Sequence, residues 1–115
     1  MLEDLSDDAT CDPACPVAAA HEVLGGKWTT LIFRELLAGP QRYSSLMRAL
    51  SGISPKMLAD RLKMLEGRGL VRRTQFPTIP PTTEYALTDL GGAMYPVIAA
   101  MAEFGRALQA ASPGD

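Results

Sequence analysis

One histidine and two cysteines are all that 115 residues supply for imidazole and thiol chemistry. That excludes a His-rich metal site, and no base stands beside a nucleophile in the pattern of covalent catalysis. Both cysteines, Cys11 and Cys15, fall in the N-terminal segment, which excludes a disulfide scaffold. With His21 they do not make the spacing of a zinc motif, and His21 reads as an ordinary helix residue. No glycine-rich phosphate loop occurs. Long apolar runs are missing too: the longest, Gly91 to Ala102, contains Pro96 and stops at Glu103, short of the ~20 residues a membrane span needs. The opening MLEDLSDDATCD is acidic and lacks the basic start and apolar centre of a signal peptide. A cytoplasmic protein without cofactor, metal or catalytic activity is therefore expected.

Positive charge is also scarce overall, with a net charge of −2. Its distribution is uneven. Residues 1–15 carry five acids and no Lys or Arg, whereas residues 16–84 carry ten basic residues against five acids. Nucleic-acid affinity follows local phosphate neutralisation rather than total charge. The basic middle segment is thus compatible with DNA, although solvated surface lysines and arginines would give the same composition.

The expected architecture is mainly α with a small β-hairpin. Residues 1–14 read as a flexible acidic segment, 15–111 as one domain, and 112–115 as a tail. Pro16 suits the first turn of a helix to Leu24, stopped by Gly25-Gly26. A second, largely buried helix spans about Lys27 to Leu37 and ends at Gly39-Pro40. Ser44 is the expected N-cap of a short third helix, Ser45 to Leu50, followed by a turn at Ser51-Gly52. Ser54 caps a fourth helix with Pro55 at its first position, and Gly69 ends it. Leu58, Leu62 and Leu65 form its buried stripe. Leu70–Phe76 and Thr83–Thr88 read as strands around a proline-rich loop. A last helix runs from Thr88 or Asp89 to about Ala111, kinked at Pro96.

Helix, tight turn, capped helix and hairpin in that order describe a winged helix-turn-helix, a shape that fits DNA grooves. With Leu58 at the centre of the buried side, Lys56, Asp60 and Lys63 fall on the opposite face, and Arg61 lies nearer the edge. That face, with Arg61 at its edge as a further candidate DNA contact, is the expected groove reader. Ser54 and the free N–H groups beside it suit a phosphate. Arg42, just before the third helix, and Ser44 are further candidate DNA contacts. Arg72 and Arg73 are adjacent in a strand and point to opposite faces, so one is expected to meet phosphate and the other to pair with an acid or pack on the scaffold; alternation alone assigns neither role.

The last helix carries Met94, Val97, Ile98, Met101, Phe104 and Leu108 along one apolar stripe, more than one small domain needs to cover. The first helix offers a run of small residues from Val17 to Ala20. Together they form the expected interface of a homodimer, whose two heads would bind a palindrome with half-sites roughly 10 bp apart or a multiple. Cys15 sits at a helix start, which favours thiolate, and Cys11 is placed to resolve it; the nearby aspartates oppose thiolate formation. Redox or electrophile sensing and a merely structural Cys15 are both open. A winged-helix protein–protein module that does not bind DNA is the alternative function.

An ordered series of residues resembles the HxlR-type winged-helix regulators, relatives of the MarR class. It includes Cys15-Pro16, Gly26-Lys27-Trp28-Thr29, Arg42-Tyr43 with Leu46, and Gly52-Ile53-Ser54 leading into Lys56, Leu58, Leu62 and Leu65. It continues through Gly69-Leu70-Val71, Arg73, Pro80-Pro81, Glu84-Tyr85-Ala86-Leu87-Thr88, Gly91 and Pro96. The resemblance implies a homodimeric cytoplasmic transcription factor on an operator of two-fold symmetry, in some members sensing oxidants or electrophiles through the cysteine matching Cys15. Two positions depart from the pattern. Thr82 stands where a basic wing residue is common, which leaves 77–83 uncharged, and Phe104 replaces a Trp.

Overall fold

Residues 14–111 are described by the computed structural model; the acidic segment with Cys11 and the tail at 112–115 lie outside them. Helix α1 (Pro16–Leu24) has Pro16 in its first turn and Gly25 as its C-cap. Helix α2 (Thr29–Leu37) begins later than Lys27. The cause is Trp28, whose φ of +80° is left-handed and cannot lie within a right-handed helix. Ile32, Phe33 and Leu36 on α2 are buried and form the centre of the core.

Gln41–Arg42 form a short strand, β1, which sequence periodicity does not reveal. It pairs antiparallel with Tyr85 and Glu84. This pairing holds Arg42 extended, so helix α3 (Tyr43–Ala49) starts with Arg42 as its N-cap and no side-chain capping bond. The expected Ser44 cap is therefore corrected: Ser44 lies inside the first turn. The turn after α3 passes through Gly52, where φ is +98° and glycine avoids the Cβ penalty.

Helix α4 (Pro55–Gly67) starts as its sequence dictates. Ser54 Oγ accepts from the Met57 N–H at 3.0 Å, and Pro55 takes the first helical position. Leu58, Leu62 and Leu65 are buried on one face. The helix ends in a Schellman motif. Leu70 N–H reaches Leu65 O at 2.9 Å, Gly69 N–H reaches Glu66 O at 3.0 Å, and Gly69 has a φ of +75°.

The wing is the hairpin β2 (Val71–Phe76) and β3 (Thr82–Leu87), in register from Val71↔Leu87 to Phe76↔Thr82. With β1 it makes a three-stranded sheet of order β1-β3-β2. The expected single last helix is two: α5 (Asp89–Gly92) and α6 (Tyr95–Ala110). Ala93 and Met94 bond three residues back, to Leu90 and Gly91 carbonyls, which breaks the helix before Pro96. Pro96 then occupies the first turn of α6, where its missing N–H is harmless. The expected kink is thus a break and restart.

Candidate nucleic-acid interface

Helix α4 is the centre of the site because its two faces are so unlike. Leu58, Leu62 and Leu65 anchor it in the core at 0–1% exposure, while Lys56, Asp60 and Lys63 all face solvent. The opposition follows from the 3.6-residue period. Lys56 Nζ meets Asp60 Oδ2 at 3.0 Å. An exposed pair of this kind contributes only ~0.3–0.5 kcal/mol to stability. Its other consequence is local: it neutralises one lysine and leaves Lys63 as the uncompensated charge of the face. Lys63, Arg42, Arg72 and Arg73 have no ion-pair partner among the described residues.

Arg61 is placed differently. Its Nε donates to the Lys27 carbonyl at 3.2 Å, so it turns away from the groove face and onto the α1–α2 connection. Ser54 Oγ is occupied as acceptor by the Met57 N–H, and its own hydroxyl proton stays available to a phosphate oxygen.

The register of the wing separates the two arginines. Arg73 stands opposite Tyr85, which is 8% exposed and faces the helices, whereas Arg72 stands opposite Ala86. Strand alternation therefore puts Arg73 on the face that carries α4 and Arg72 on the outer face, where Arg42 and Glu84 also lie. Beyond Arg42 the chain turns into α3 and leaves β3 uncovered. A cleft of about 320 Å³ opens there, lined by Arg42, Tyr43, Ser44, Pro81, Thr82, Thr83 and Tyr85. It unites Arg42 and Ser44 with two wing hydroxyls that sequence reading overlooked, because an uncharged segment gave no electrostatic signal. At the tip, Thr78 Oγ donates to the Pro80 carbonyl at 2.8 Å and lies 3.2 Å from the Thr82 hydroxyl. Ile79 is 99% exposed.

Behind the head, the last helical stripe divides. Met94 and Ile98 pack on the protein's own core. Val97, Met101, Phe104 and Leu108 face outward, and α6 has no buried residue at all. On α1, Val17 and Ala20 are exposed, and Ala20 borders an almost wholly apolar recess of about 170 Å³ with Val23, Leu24, Phe33, Leu70 and Met94. Cys15 is the half-buried N-cap of α1. Among the described residues no group of three His, Cys, Asp or Glu could hold a metal, and no helix is long and apolar enough to cross a membrane.

A family model, HxlR-like helix-turn-helix, matches residues 23–112. The chain belongs to that family. The match covers both arms of the helix-turn-helix, the wing and α6. An uncharacterised HTH-type transcriptional regulator of Synechocystis sp., sll1512, is 42% identical over 91 residues, covering 79% of this chain and 67% of its own. The crystal structure of a MarR-family transcriptional regulator from Porphyromonas gingivalis W83 superposes with a TM-score of 0.81 at 44% identity, covering 84% of this chain and 95% of the other. The redox regulator HypR in its oxidised form superposes at 0.76 with 34% identity, covering 81% and 96%. This HxlR-like chain is thus a winged helix-turn-helix protein of a transcriptional-regulator family.

Proposed function

We propose that this HxlR-like protein binds double-stranded operator DNA as a homodimer and regulates transcription in response to a small oxidant or electrophile. One observation carries the DNA reading: the second helix of a helix-turn-helix, anchored by three buried leucines and followed by a wing, presents Lys56, Asp60 and Lys63 outward. A helix of that form enters a major groove, with the Lys56–Asp60 pair orienting the first lysine and Lys63 reaching base edges or phosphate. Ser54 at the helix start, Arg42 and Ser44 in the wing-side cleft, and Arg73 on the α4 face take backbone phosphates. Arg72, on the outer face, adds to the field around the wing. The neutral tip makes the wing a brace along the backbone.

Binding to genomic fragments across a salt series tests this. Affinity should fall steeply with salt, with a slope of about −0.9 per phosphate neutralised. Lys63→Ala should weaken binding by about 1–3 kcal/mol if Lys63 reads a base, or reduce the salt slope by about 1 if it meets phosphate. Flat, weak binding to every fragment would sink the DNA reading and favour a protein-contact module, for which the exposed Ile79 at the wing tip would be the anchor.

Dimerisation rests on the outward stripe of α6 and on the exposed Val17 and Ala20 of α1. Sensing rests on Cys15 at the start of α1 and on the likeness to a redox regulator. Cys11, the proposed resolving thiol, lies outside the described residues. Diamide should take the two thiol hydrogens of a Cys15–Cys11 pair, form the disulfide and change operator affinity in the parent protein. Cys15→Ser should abolish that response; equal responses in variant and parent would remove Cys15 from the mechanism.

A further inference from the structure

The connection between α1 and α2 is built around one side chain of the reading helix. Arg61 Nε donates to the Lys27 carbonyl at 3.2 Å, a bond that joins residues far apart in the chain. The guanidinium lies against Gly26 so closely that a Cβ there would sit 2.5 Å from Arg61 Nη2 and 2.7 Å from its Cζ. Gly26 has no left-handed φ, so its backbone does not demand glycine. The space is needed by Arg61. Next in the chain, Trp28 is held at a φ of +80°, a conformation that costs a bulky residue ~1–3 kcal/mol and persists only where its surroundings impose it. Its ring lies beside Gly52 in the turn of the helix-turn-helix, 3.7 Å from where a Cβ would stand. Lys27 Nζ lies 5.4 Å above the same ring. A second tie runs from Arg68 near the end of α4 to Glu22 on α1 at 3.5 Å, an exposed pair of little strength.

We propose that Arg61 is a positioning residue, not a DNA contact: it clasps the reading helix to the Gly26–Trp28 turn and so sets the angle at which α4 meets the groove. The inference rests on the DNA-reading proposal, but the clasp itself is a property of the folded chain. Three of its parts face different elements. Arg61 belongs to α4, the Lys27 carbonyl to the α1–α2 connection, and Trp28 touches the turn before α4. Through this turn α1, whose N-cap is Cys15, is tied to the reading helix.

The geometry supplies its own discriminating variants. In Arg61→Gln the side-chain Nε2 stands at the same distance along the side chain as the arginine Nε, so it keeps the bond to Lys27 and loses the charge. Arg61→Ala loses both. Gly26→Ala keeps Arg61 but pushes its guanidinium off the turn. Operator affinity, salt slope and the emission of Trp28, the sole tryptophan, are measured for each. Loss of one hydrogen bond should weaken operator binding about fivefold to tenfold in Arg61→Ala and Gly26→Ala. The salt slope should stay at the parent value, and Trp28 emission should shift in both. Arg61→Gln should stay within about twofold of the parent, with parental emission. If Arg61→Gln and Arg61→Ala lose affinity alike and both lower the salt slope by about 0.9, Arg61 is a phosphate contact and the inference is overturned. Parental affinity and emission in Arg61→Ala would overturn it equally. If Arg61→Ala does not fold, the Gly26→Ala and Arg61→Gln pair decides. If the parent protein binds no DNA, the DNA reading fails by itself, while Trp28 emission still reads the clasp.

Discussion

Replacing Phe104 by lysine should split the proposed homodimer into monomers and lower the proposed operator affinity by about 10²-fold or more. Phe104 is 65% exposed on α6, beside Met101 and Leu108, at 45% and 57%. In a symmetric interface each residue is buried twice, and full burial of a Phe side chain stabilises by about 1.5–3 kcal/mol relative to exposure. A lysine at that position removes this gain from both protomers and places an unpaired charge against an apolar surface, which is costlier still. Each reading head then binds alone, without the effective concentration that linkage supplies. The fold of the single chain should be untouched, since Phe104 lies outside the buried core. Sedimentation or light scattering reads the mass, circular dichroism the fold, and fluorescence anisotropy the affinity. An unchanged dimer mass would show that α6 is not the interface.

Gly91→Ala should destabilise the protein by about 2–3 kcal/mol, within the usual cost of overpacking. Gly91 is buried in α5, and a Cβ there would collide with the carbonyl oxygen of Leu70. That oxygen already accepts from the Thr88 N–H at 3.0 Å. Thr88 Oγ in turn donates to the Gly69 carbonyl at 2.6 Å and accepts from the Gly91 N–H at 3.1 Å. These bonds tie the start of α5 to the Schellman turn that ends α4. An added methyl meets backbone, which cannot rotate away as a side chain does, so α5 must shift and strain the bonds. Gly92 is the control: a Cβ there meets nothing within 4 Å. Gly92→Ala should be neutral or stabilising by about 0.4–1 kcal/mol through the unfolded chain. Urea midpoints of the two variants check the contrast. Similar midpoints would mean that the α4–α5 junction is looser than its geometry.

These predictions also show what was local. Ser54-Pro55, the Leu58–Leu62–Leu65 spacing and Gly69 specify α4 completely, because capping, periodicity and left-handed φ act within a few residues. The same spacing put Lys56, Asp60 and Lys63 on the outer face, where the structure has them. Pro16 and Gly25 likewise bound α1. The hairpin was legible from its β-rich runs and proline loop, to within a residue at each strand end.

Tertiary structure decided the rest. β1 has two residues and exists because Tyr85 and Glu84 are there to pair with it, and that pairing moved the start of α3 from Ser45 to Tyr43. The late start of α2 comes from the left-handed Trp28, whose surroundings include the helix-turn-helix turn. Arg61 turned from groove to scaffold because the Lys27 carbonyl and the space at Gly26 were within its reach. The apolar stripe of the last helix divided between core and outer face because only Met94 and Ile98 pack against the core, while Val97, Met101, Phe104 and Leu108 stay exposed. The sequence by itself determined the first helix and the reading helix, with their caps, and where the charge lies, because those are short-range effects. Where a long side chain points and which apolar residues go uncovered were decided only by contacts between segments distant in the chain.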